Sequence, residues 1–145
     1  MFNPSRDQVR RFFCDAWQKD RQGLPLVGAE TIAVDLIRLH PEYHALLADV
    51  ERALSQEWTP EEGQMNPFLH LSLHLAVEEQ ISIDHPRGIR EAFHALARRL
   101  DDPHAAKHRL LECLGEAVWH AQQAGNQLDP EAYLEAVKRA GRGLI

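Results

Sequence analysis

The sequence predicts an all-α fold, and two observations carry that prediction. A polar residue followed by proline recurs as a helix-start mark, at Asn66-Pro67, Asp102-Pro103 and Asp129-Pro130, with weaker versions at His40-Pro41 and His85-Pro86. Proline fits the first helical position because its missing N–H is one of the donors a helix leaves unpaired there. Between these marks the apolar residues recur at helical spacing, and no run alternates as a half-buried strand would.

The marks divide the chain into about six or seven helices. A first helix over 5–21 ends at the turn Gly23 to Gly28, which holds Pro25, and a second covers 28–39. The His40-Pro41 mark opens a third over 41–54, closed by the only long break, Ser55 to Met65, "SQEWTPEEGQM". Helices over 66–83, 86–100, 103–124 and 130–141 each begin at one of the remaining proline marks. With no linker, repeat or low-complexity tract, residues 1–145 are expected to form one all-helical domain around a four-helix-bundle-like core.

The chain of 145 residues is long enough to bury a core, and its 44% hydrophobic and 26% charged content is that of a globular protein. Acidic and basic residues are mixed along the chain and sum to a net charge of −6. No face is dense enough in Lys and Arg to release many phosphate counterions, so a nucleic-acid partner is not expected. No apolar run approaches the roughly 20 residues of a membrane span, and the N-terminus lacks the apolar core of a signal peptide. Cys14 and Cys113 form no CxxC pair and read as reduced thiols. A cytoplasmic protein, monomer or homodimer, is the expectation. Nucleophile-elbow, P-loop and Rossmann glycine patterns are absent, which argues against serine or cysteine hydrolase chemistry.

The histidines carry the chemistry. Three of their pairs are four apart: His40/His44, His70/His74 and His104/His108. Two of these continue to Glu at the next step of four, giving "HLSLHLAVE" (His70, His74, Glu78) and "HAAKHRLLE" (His104, His108, Glu112), with Glu116 and His120 further along the second stripe. Side chains four apart stand nearly above one another on a helix, so two imidazoles can reach one ion. The ends of a triplet are about 12 Å apart along the axis, which suits two adjacent ions better than one. The first stripe sits among Phe68, Leu69, Leu71, Leu73, Leu75, Ala76 and Val77. Ionisable groups in such surroundings must be paired, neutralised or bound to metal.

An up-down-up path makes the helices 66–83 and 103–124 parallel and sets His70 level with His104, His74 with His108 and Glu78 with Glu112. His44 and His40 are expected to help complete the coordination, although His40 before Pro41 also reads as a helix cap. Two divalent ions carry four positive charges and two Glu residues cancel two of them. A hydroxide, oxide or anionic ligand then supplies the rest. Imidazole with carboxylate suits iron, manganese and zinc alike, and iron ranks first by analogy with other helical bundles. Cys113 points about 100° away from Glu112 and is not expected to bind. His85 and His94 belong to no stripe, and Trp17, Trp58 and Trp119 read as core. Tyr43, beside His44, is a candidate for a radical or hydrogen-bonding role.

The segments "FNPSRDQVRRFF", "HPEYHALL", "NPFLHLSLHLAVEEQ…GIR" and "AAKHRLLECLGEAVW" resemble an uncharacterised bacterial family, domain-of-unknown-function family 1841. That resemblance implies a small cytosolic bacterial protein and no activity. More loosely, His74/Glu78 and His108/Glu112 resemble the H-x3-E pairs of hemerythrin-like di-iron bundles, and His40/His44, His70/His74 and His104/His108 their H-x3-H pairs. The doubled triplet departs from hemerythrin, and that family's final H-x4-D has no clear counterpart here.

The leading expectation is a di-metal, di-iron-type helical protein that binds or reduces a small oxidant such as dioxygen, peroxide or nitric oxide. His70, His74, Glu78, His104, His108, Glu112, His44 and His40 are its candidate ligands. Two alternatives are a non-catalytic interaction module with a structural metal or a His–Glu network, and a metal-dependent hydrolase.

Overall fold

In the computed structural model the described residues are 5–58 and 66–143, and all regular structure among them is helical. Residues 59–65 of the expected long break lie outside the described residues, as do 1–4 at the start of the first family-like segment. The helices are α1 (Arg6–Arg21), α2 (Ala29–Arg38), α3 (His44–Leu47), α4 (Val50–Ser55), α5 (Pro67–Ile83), α6 (Ile89–Leu100), α7 (Pro103–Ala124) and α8 (Pro130–Gly141), with a 3-10 turn at Pro41–Tyr43. Contacts group them into two compact units, Met1–Leu75 and Ala76–Ile145, and the boundary falls within α5.

The proline marks work as local chemistry predicts. Asp102 is the N-cap of α7, and its carboxylate accepts from the His104 and Ala105 N–H groups, with Pro103 in the first turn. Asp129 does the same for α8, and the Asn66 side-chain oxygen accepts from Phe68 and Leu69 N–H at the start of α5. Each cap satisfies donors that have no partner inside the helix.

Two expected helices start or divide differently. The span 41–54 is not one helix. Asp49 stops it after α3, because its carboxylate accepts the Arg52 N–H and makes it the N-cap of a new helix, α4. The helix expected from Pro86 begins at Ile89. Gly88 holds a left-handed φ of 100°, and the Asp84 carboxylate accepts from both Gly88 and Arg90 N–H.

In the first unit α1 packs on α2, α3 and α4. The core there holds Phe13, Cys14, Trp17, Val34, Ile37, Leu47, Phe68 and Leu71. Arg10 is 2% exposed, and one of its guanidinium nitrogens donates to the carbonyls of Ala53 (2.8 Å) and Gln56 (2.9 Å). It thus caps the C-terminal end of α4, where carbonyls otherwise lack donors. The same guanidinium lies over the Trp58 and Phe68 rings, an arrangement that offsets part of the cost of burying a cation. In the second unit α6, α7 and α8 pack on one another. Ile89, Leu96, Leu110 and Val137 are buried there, and the Tyr133 hydroxyl donates to Gln80 at 2.7 Å. No helix among the described residues is long and apolar enough to cross a membrane.

Replacing the Asp102 cap tests the local reading. Asp102→Ala should lower unfolding free energy by about 1 kcal/mol, measured by urea denaturation followed by circular dichroism.

Candidate metal centre

The site is assembled from single histidines on different elements. His40 follows α2 and precedes Pro41. It makes no side-chain cap to the 3-10 turn. Instead it is 5% exposed, and its Nδ1 donates to the Leu36 carbonyl at 2.7 Å. That bond sets the ring's tautomer and orientation and leaves Nε2 as the ring's acceptor nitrogen. A metal-binding imidazole commonly anchors its second nitrogen in this way.

His70 and His74 occupy successive turns of α5. Their Nε2 atoms are 3.0 Å apart, and the rings lie 4.8 Å apart between centroids. The His40 ring stands 4.9 Å from His70 and 5.1 Å from His74. Apolar residues hold this arrangement. Leu71 and Val77 on α5 are fully buried, and His74 itself is 2% exposed. Among the described residues of the first unit, His40, His70 and His74 converge as potential ligands, with donor atoms that all lie within 4.8 Å of one another.

These distances suit a metal ion. Two nitrogens about 2.1 Å from one ion stand about 3.0 Å apart at a right angle and about 3.4 Å apart in a tetrahedron. The His70–His74 separation falls at the first of these values.

The other candidate ligands lie elsewhere. His44 Nε2 hydrogen-bonds the Ile37 carbonyl at 2.8 Å, and its ring packs 4.4 Å from Trp17. His104 sits in the exposed first turn of α7, although its ring touches His108 at 4.4 Å. The Glu78 carboxylate, half-buried, pairs with Lys107 at 2.7 Å. Glu112 is exposed and pairs with Arg109 at 2.9 Å. Glu116 is exposed, and the exposed His120 lines a pocket of ≈ 280 Å³ with Asn126 and Asp129. So among the described residues of the first unit the group holds one member of the His40/His44 pair and both of His70/His74, while His108 is half-buried on α7 in the second unit.

Tyr43 is half-buried beside this group. Its ring is nearly parallel to that of His40, at 5.6 Å and 6°, and meets the His70 ring at 6.0 Å and 72°. Burial raises the phenol above its ordinary range, with the nearby Glu42 charge acting in the same direction. Cys14 and Cys113 are buried free thiols, and burial pushes Cys14 up to about 11, which leaves it a poor nucleophile.

A family model described as a domain of unknown function, DUF1841, matches residues 5–139. The chain belongs to this family. No curated protein and no solved structure matches it. The geometry of the DUF1841 chain is therefore the ground for any functional reading, and that geometry is a cluster of three histidines, His40 and His74 buried and His70 half-buried, that could hold a metal ion.

The anchoring of His40 is open to direct measurement. Long-range proton–nitrogen correlation spectra at neutral pH should show His40 as the Nδ1-protonated tautomer. An Nε2-protonated ring would contradict its bond to Leu36.

Proposed function

We propose that this protein binds a divalent transition-metal ion through His40, His70 and His74, and that the ion binds or reduces a small oxidant such as dioxygen, peroxide or nitric oxide. One observation carries the metal reading: three imidazole donors within 4.8 Å of one another, with His40 and His74 buried. Imidazoles that share so small a volume repel once protonated, whereas a cation at their centre satisfies all of them. The donor type is compatible with an oxidant, because imidazole sites serve redox-active iron and copper, and zinc and nickel as well. Iron remains the leading candidate by analogy with other helical bundles. Buried free thiols at Cys14 and Cys113 support a reducing compartment.

A second reading, two ions in a His/Glu site, draws support from Glu78, which stands one turn beyond His74 on α5. In that reading a second ion displaces Lys107 from Glu78.

Metal analysis of the untagged protein by mass spectrometry separates these readings. One ion per chain is expected. His74→Ala should weaken binding by at least about tenfold, since loss of even an outer-sphere partner commonly costs that much. Glu112→Ala should leave affinity within about twofold. Two ions per chain, with affinity lost in Glu78→Ala and Glu112→Ala, would favour the dinuclear site. A protein that takes up no stoichiometric metal after reconstitution would refute both.

Metal should also stabilise the fold. At a hundredfold excess of free ion over its dissociation constant the gain is about 2.7 kcal/mol, which corresponds to a rise of several degrees in the unfolding temperature. Differential scanning calorimetry with and without chelator should show that rise in wild type and not in His74→Ala.

A further inference from the structure

We propose that Tyr43 is the recognition residue for a small anion bound to the metal, to which it donates its phenol O–H. This inference rests on the metal reading above and assigns a chain residue to the ligand that the metal holds.

The first argument is charge. Three neutral imidazoles leave a divalent ion with its full double charge, and an uncompensated charge among buried groups is costly. The carboxylates of the two triplets are paired with cations of the chain, Glu78 with Lys107 and Glu112 with Arg109. Among the described residues no carboxylate belongs to the converging group. A small anion from solvent, such as hydroxide, azide or hydroperoxide, taken as a further metal ligand, then supplies negative charge.

The second argument is position. Tyr43 touches two of the three ligand rings, stacked on His40 and edge-on to His70. Its place is tied to the ligand itself, because the Tyr43 N–H donates to the His40 carbonyl at 3.0 Å within the Pro41–Tyr43 turn. The ring and the imidazole it covers are thus held by one short piece of backbone.

The third argument is the hydroxyl. Tyr133, the chain's other tyrosine, spends its O–H on Gln80 at 2.7 Å. The Tyr43 hydroxyl makes no hydrogen bond to a described residue. A half-buried phenol beside the donors is both reachable from solvent and available to an incoming ligand. Trp17, by contrast, packs on His44, outside the group, and has no comparable position.

Cobalt(II)-loaded full-length protein provides the test. Cobalt(II) affinity is measured first, and azide is then titrated against the visible cobalt absorption in wild type and Tyr43→Phe. Azide should perturb the wild-type spectrum saturably. Tyr43→Phe keeps the stacked ring, so it should bind cobalt(II) within about twofold of wild type but bind azide about fivefold to tenfold more weakly, the scale of one lost hydrogen bond to a charged group. Equal azide affinity in the two proteins would overturn the role of Tyr43. A wild-type cobalt spectrum indifferent to azide would overturn the anion itself while leaving the metal reading intact. Failure of wild type to bind cobalt(II) at all would remove the metal reading and this inference together.

Discussion

Imidazole rings packed against one another in an apolar interior are the constraint on which the candidate site depends. His70 and His74 present their Nε2 atoms to each other at 3.0 Å, and the His40 ring leans on both. Such nitrogens need a proton or a cation between them. A proton satisfies one pair at a time, and further protonation brings like charges together in a poorly solvated place. A metal ion satisfies every donor at once. The cost of placing histidine rather than leucine at these positions is offset only if that ion, or an equivalent network, is present.

The surrounding structure serves this arrangement by restricting the rings. His40 is held from behind by the Leu36 carbonyl and covered by Tyr43. His74 is held by burial, with Leu71 and Val77 close on the same helix. A ring that cannot turn away loses little freedom when it binds, which lowers the entropic cost of coordination. Glu78 and Lys107 form an ion pair of their own, so the carboxylate that the spacing offers to a metal already has a partner. Among the described residues no carboxylate stands with the imidazoles.

Membership of DUF1841 brings no chemistry with it, so the functional reading stands on these residues alone. Its strength lies in chemistry that converges from separate parts of the sequence. His40 comes from the end of α2, and His70 and His74 from α5. Arg10 illustrates the opposite case. It is a buried charged side chain with cation–π and carbonyl partners, and its role is to close the end of α4 rather than to bind a ligand.

The sequence by itself determined where most helices start, because a cap is a local event. Asn66, Asp102 and Asp129 each meet N–H groups two or three residues ahead, so reading the adjacent residues was enough. It failed at Asp49 and Gly88, where a residue inside an otherwise helical pattern changes the backbone. It also drew up the list of candidate ligands, since spacing of four reports which residues share a helix face. Spacing says nothing of how deep that face lies or which turn of it meets another element. Only the tertiary structure decided that His104 is in an exposed first turn while His108, one turn on, is half-buried, that His44 turns to Ile37 while His40 meets His70 and His74, and that Glu78 and Glu112 go to Lys107 and Arg109. Those outcomes depend on distances between residues remote in sequence, and helical periodicity carries no information about such distances.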